Sequence, residues 1–283
     1  MNSESVSRAR ADYSRARAKA FLNRIRAVLS GRPTRLLSYD DIREKLHVGG
    51  PIYRGVQTIR LDQVAGSLNR YMAFDRAFLP TQDDTASRWQ WVSRAFYEDI
   101  SLPPVVLYKV GDVYFVVDGH HRVSVAREQG QEFIEAEVRE CATRVNITPD
   151  IKLEDLEILH EKVNFLERTR LDQLRPNANI KLTIPDGFDR MLEHIAVHRY
   201  FMGIDLQRDI SEEEAVNHWY DTVYLPIIKV IRSSKILKEF PGKTEGDLYL
   251  WILDHQHYLA EREGQPLQPP HKAAQEFIEE VDS

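Results

Sequence analysis

The chain has 283 residues, 42% of them hydrophobic, which exceeds the roughly 100 to 200 residues usual for one domain and predicts two folded units. Its longest apolar runs, such as Val113 to Val117, fall far short of the ~20 residues of a membrane-spanning helix, and no short apolar core with a small-residue cleavage site follows Met1; a cytoplasmic chain without a membrane partner is expected. Cys141 is the only cysteine, which excludes an internal disulfide and a thiolate-rich zinc site.

The net charge of −6 hides a basic amino-terminal arm, where Arg8, Arg10, Arg15, Arg17, Lys19, Arg24, Arg26, Arg32 and Arg35 face only Glu4 and Asp12. Such an asymmetry marks either a solvated helix face or an arm for nucleic acid or a membrane surface. Residues 5–29 lack Pro and Gly, and Tyr13, Ala16, Ala20, Phe21, Ile25, Val28 and Leu29 recur at three- and four-residue steps, which predicts an amphipathic helix ended by Gly31 and Pro33. Its apolar stripe must meet the body of the protein or a second copy in a homodimer. Ser38, with Asp40 and Asp41 in the first turn, opens a short helix to about Leu46, and Gly49, Gly50 and Pro51 stop it.

A strand is predicted near Val56 to Leu61, then a loop and helix, then strands at Pro104 to Lys109 and Val113 to Asp118 joined by a Gly111-Asp112 hairpin turn with Gly at the first central position. His121 to Gly130 reads as a helix and Phe133 to Val138 as a closing strand. Beyond Pro149 the pattern is helical: Leu153 to Arg170, then a strand-like Ile180 to Ile184, then Gly187 to Met202 closed by Gly203. Ser211 and Glu214 form a capping box for a further helix, in which Pro226 must kink or divide the rod, and Thr244 with Asp247 starts another. The fold class is therefore α+β: an amino-terminal basic helix and connector over 1–50, an α/β domain over 51–147 and a mainly α-helical domain over 148–283.

The chemistry concentrates at Asp118-Gly119-His120-His121-Arg122, an aspartate at the end of a buried strand followed by glycine and basic side chains opening a helix. Glycine lets backbone approach a phosphate, the first helix amides point at it, and the dipole favours negative charge. Arg122 can grip two oxygens at once, and His120 and His121 can donate hydrogen bonds. Asp118 would repel a phosphate unless it binds Mg2+, takes a proton or caps the turn.

The order Leu102-Pro103-Pro104-Val105-Val106-Leu107, Val113 to Val117, Asp118 to Ala126, Gly130 and Phe133 to Val138 resembles the ParB and sulfiredoxin-like superfamily, over about a third of the chain. Thr58 to Val64 resembles its first strand and turn, and Ser67-Leu68-Asn69-Arg70 its polar nucleotide-facing loop. The resemblance implies a nucleotide (ATP, ADP or CTP) with Mg2+, bound by Gly119, His120, His121, Arg122, Ser124 and Arg70, with Asp118 as metal ligand and Asp118 and His121 as catalytic groups of a phosphotransferase or an NTPase switch. His120 stands where sulfiredoxins carry their essential cysteine, so that chemistry is absent. The turn is most similar to that of the free-serine kinases, but their glutamate has no counterpart near Gly66 to Arg70, so Asp62 or Asp75 would have to replace it. The alternative is a ParB-like regulator or partition protein that holds DNA through the basic arm. A helix-turn-helix reader is not visible over residues 153–170. As a whole, the chain is similar to a bacterial family that pairs such a domain with a helical carboxyl-terminal half.

Three further groups stand beside blander readings. His194 and His198, four apart on a helix, could share a metal, although ordinary packing accounts for them as well. Trp89, Trp91, Phe96 and Tyr97 could stack a base or fill a core. Arg54 and Arg60 could complete a phosphate pocket.

Overall fold

A computed structural model describes residues 3–30, 35–69, 72–264 and 267–281. The chain divides into two compact units, Met1–Leu156 and Glu157–Ser283. The fold is mixed, with one six-stranded sheet in the first unit and helices throughout the second. No described helix is long and apolar enough to cross a membrane.

In the first unit, α1 (Ser3–Ser30) is followed by β1 (Leu37–Ser38), α2 (Tyr39–Lys45), β2 (Pro51–Arg60), β3 (Val64–Ser67), α3 (Ala86–Tyr97), β4 (Val105–Val110), β5 (Val113–Asp118), α4 (His120–Glu128) and β6 (Phe133–Cys141). The sheet order is β1-β3-β5-β4-β6-β2. β4 and β5 form the expected hairpin, with Val110 opposite Val113 and Gly111 at φ 56°. β1, β3 and β5 run parallel, so their carboxyl ends meet at one edge, the usual place for a ligand crevice in an open sheet. β5 is sealed on both faces: Val113, Tyr114, Phe115 and Val116 are all buried, which explains its continuous apolar run. β2 is the exposed outer strand, where Gly55 (φ 84°) sits in a break of register between Tyr53 and Val56. Such a break, with Arg54 and Arg60 exposed along the strand, discourages edge-to-edge association.

The amino-terminal helix is not a detached arm. Ala9, Tyr13, Ala16 and Ala20 are buried and α1 lies on α3, the small side chains allowing close approach. Buried Asp12 accepts hydrogen bonds from Tyr97 Oη at 2.5 Å, Gln129 Nε2 at 3.1 Å and Arg15 at 2.7 Å, which pins α1 to α3 and α4. The segment expected as a separate 1–50 element thus shares the core of the first unit with Trp89, Phe74, Leu107 and Val116. That unit also runs on to Leu156, beyond the expected boundary at 147.

α5 (Leu153–Thr169) carries the chain across the boundary as one continuous helix. The second unit continues with α6 (Leu171–Leu174), α7 (Gly187–Leu206), α8 (Glu212–Trp219), α9 (Leu225–Ser234), α10 (Glu245–Glu263) and α11 (Pro270–Val281). Ile180 to Ile184 is not a strand. Asp247 caps α10 and takes the Thr183 amide and hydroxyl, each at 2.8 Å, while Thr244 donates to the Lys181 carbonyl at 2.6 Å. The segment's backbone groups go to a helix cap, not to a neighbouring strand. A Cβ on Gly246 would lie 2.5 Å from that same carbonyl, so only glycine allows the approach. Gly203 does not end α7, which runs to Leu206 and closes where Gln207 turns left-handed at φ 52°. Pro226 divides its helix as expected: a π-helical turn, Tyr220–Tyr224, precedes it, and Pro226 falls in the first turn of α9, where its missing N–H costs nothing.

Candidate functional site

Gly119 follows β5 in the left-handed conformation, φ 97° and ψ 21°, and is the N-cap of α4. A Cβ there would lie 2.5 Å from Val105 Cγ1, so both the dihedral and the space demand glycine. No side chain caps α4 at this residue. Val123 N–H closes the first helical bond on the Gly119 carbonyl at 3.0 Å, so the amides of His120, His121 and Arg122 have no partner of that kind within the helix.

The side chains arrange themselves differently from the sequence expectation. Arg122 Nη2 donates to Asp118 Oδ2 at 2.6 Å, and Nη1 to the carbonyls of Pro104, at 2.9 Å, and Pro103. The guanidinium therefore lies over the turn, tied to the approach to β4. Asp118 itself is exposed, with 66% of its side-chain surface open. His120 and His121 turn inward, 6% and 7% exposed. His120 Nε2 lies 2.8 Å from Ser67 Oγ at the end of β3 and its ring stacks on Phe74, while His121 meets Phe74 edge-on. Their rings brace β3, α4 and the 72–80 loop and do not line an open phosphate face.

Ser124 is fully buried and accepts the Trp89 indole N–H at 2.8 Å, so it serves the core and drops out of the ligand set. Arg70 lies outside the described residues. Arg54 and Arg60 pair with Glu140 and Asp62 on β2, at the opposite end of the strand order from β1, and cannot complete a pocket at β5. Neither replacement carboxylate is available: Asp62 is held by Arg60 at 2.5 Å, and Asp75 receives the amides of Ala77 and Leu79 at 2.9 and 2.8 Å. Burial pushes the Asp75 carboxyl above its ordinary range, against the pull of those amides. Arg127, which the sequence did not single out, lies beneath this region over the Phe78 ring, donates to the Leu61 and Val64 carbonyls, and is lowered by burial to about 10. A guanidinium spent on backbone carbonyls leaves no mark in a one-dimensional pattern.

Trp89 is core, whereas Trp91 and Phe96 are exposed. His194 and His198 go separate ways: His194 Nδ1 lies 3.2 Å from Tyr249 Oη, and His198 Nε2 lies 2.7 Å from His218 Nδ1. Among the described residues no three His, Cys, Asp or Glu side chains gather to hold a metal.

Residues 171–281 match a domain of unknown function, DUF4032. No curated protein matches the chain. Most of the matched segment's one large cavity, about 850 Å³ among residues that include Arg168, Leu192, Tyr200, Ile204, Arg208 and Glu212, is lined from inside the match. Sequence reading missed it because its walls come from three helices and a loop whose residues share no motif.

Proposed function

We propose that the first unit binds the phosphates of a nucleoside di- or triphosphate at residues 118–122, as a nucleotide-responsive domain of the ParB and sulfiredoxin type. The observation that carries this reading is the position of Arg122. Its charge is held over the start of α4, and its only anionic partner in the turn, Asp118, is exposed to water. An exposed ion pair contributes about 0 to 1 kcal/mol, so a phosphate can replace that carboxylate at little cost. The two proline carbonyls keep Nη1 in place meanwhile.

Gly119, without a Cβ, and the uncapped start of α4 fit a phosphate oxygen. Asp118, freed from Arg122, suits a nucleotide-borne Mg2+, which commonly takes one or two carboxylates and completes its shell with phosphates and water. That ion would supply charge neutralisation at the phosphates. The arrangement favours binding and switching over phosphate transfer, because Asp62 and Asp75 are both engaged. The DNA alternative draws less support, since Arg15, Arg17 and Lys19 bond within the unit, to Asp12, the Pro80 carbonyl and Glu128.

The test is calorimetric titration with ATP, ADP, CTP and GTP in the presence of Mg2+. The native protein is expected to bind at least one of them, Arg122→Ala to lose it, and Asp118→Asn to bind as well or better without Mg2+ and worse with it. No binding by the native chain, or unchanged affinity in a folded Arg122→Ala protein, overturns the reading.

A further inference from the structure

The carboxyl-terminal third of α1 presents a second apolar face, directed away from the body. Ala9, Tyr13, Ala16 and Ala20 are buried on the inner side, and Asn23 and Ala27 continue that side, half-buried. Phe21, Leu22, Ile25, Val28 and Leu29 are instead 46–83% exposed. At about 100° per residue these five fall within an arc of about 120°, and Arg24 and Arg26 stand about 40° beyond its two edges. Both arginines are exposed. Large side chains, one of them a phenylalanine, are costly to leave in water, and five in one arc exceed the scattered apolar exposure of ordinary surfaces.

Charge indicates what covers the face. From Tyr13 to Tyr39 the sequence holds Arg15, Arg17, Lys19, Arg24, Arg26, Arg32 and Arg35 and no acidic residue, although the whole chain is net acidic. A second α1 laid against the first would bring like charges together along both flanks of the stripe, which disfavours self-pairing. Nucleic acid would answer the arginines but gain nothing from Phe21, Ile25 or Val28. An anionic lipid surface satisfies both, taking the apolar arc between acyl chains while the flanking arginines reach the headgroups.

We propose that the exposed face of α1 docks on an anionic membrane surface. No spanning segment is involved: the helix lies in the interface, its inner face still seated on α3. The expected absence of a membrane partner rested only on the absence of a segment able to cross a bilayer, and lying on a surface requires none.

The experiment is flotation of the full-length protein with vesicles of phosphatidylcholine alone and of phosphatidylcholine mixed with phosphatidylglycerol. The native protein should float with the mixed vesicles only, and less as salt rises. Arg24→Gln with Arg26→Gln should weaken partition about 25-fold, at about fivefold per charge. Phe21→Gln, Ile25→Gln and Val28→Gln together should reduce it to background, and circular dichroism should match the native protein because all three side chains lie outside the core. Absence of native flotation, or flotation that survives the triple change, overturns the proposal. So does a concentration-dependent dimer, found by light scattering and dissolved by the triple change, in a protein that does not float. Duplex DNA binding that needs the arginines and ignores the apolar set, again without flotation, has the same consequence.

Discussion

Replacing Gly119 by alanine tests the turn at atomic resolution. Two costs combine: an L-residue at φ 97° pays about 1 to 2 kcal/mol, and a methyl 2.5 Å from Val105 Cγ1 in a packed core pays about 1 to 3 kcal/mol. Gly119→Ala should therefore destabilise the first unit by roughly 2 to 5 kcal/mol. The two costs can be separated, because Val105 supplies the overlap but not the dihedral. Val105, 1% exposed, should itself cost about 2 kcal/mol on truncation to alanine, from two lost methyl groups and the space they leave. In the double variant the new methyl occupies that space, so the combined loss should fall short of the sum by about 1 to 3 kcal/mol. Urea unfolding of the four proteins, followed by circular dichroism, measures this coupling. Additivity within about 0.5 kcal/mol would mean that Val105 does not close on the turn, and a neutral Gly119→Ala would mean that the left-handed turn is not there.

In the second unit, Asp247 is fully buried and accepts hydrogen bonds from Thr183 N, Thr183 Oγ1 and Thr244 N, all at 2.8 Å. Asp247→Ala strands these donors and should cost about 3 to 5 kcal/mol in urea unfolding, with Asp247→Asn costing less; a loss under about 1 kcal/mol would contradict the cap. His194, desolvated by burial and set beside Arg190, is lowered from the ordinary histidine value to about 4. Below about pH 6.5 the unfolded chain takes up a proton that the folded chain resists, so this residue makes stability fall with pH across the window from about 6.5 down to 4, by at most about 3 kcal/mol, and leaves it flat above 7. Denaturation of native and His194→Gln proteins at several pH values should show that fall diminished in the variant, and parallel curves would refute it.

Local chemistry was legible wherever a few adjacent residues sufficed. Ser38 accepts the Asp41 amide at 3.3 Å, Thr244 and Asp247 cap each other, and Ser211 accepts the Glu214 amide at 3.2 Å, although Glu214 sends its own carboxylate to Arg208 and not back to the cap. The Gly111 hairpin, the division at Pro226 and the alternation of strand, turn and helix around Gly119 were fixed by short-range sterics that any neighbour must respect. Side-chain destinations were not. Whether Arg122 reaches into solvent or folds onto Pro103 and Pro104 depends on how β4 approaches β5, and whether His120 faces a ligand or Ser67 depends on β3 being inserted beside β5. Ile180 to Ile184 shows the same limit: its apolar alternation suits a strand, yet Asp247, more than sixty residues away, claims its donors. The sequence by itself determined the two-unit α+β plan, the glycine turn and the basic, two-faced α1, because dihedral preference, periodicity and charge are local quantities. Only the tertiary structure decided which polar groups were already satisfied, because a hydrogen-bond partner is a matter of place in space and not of position in the chain.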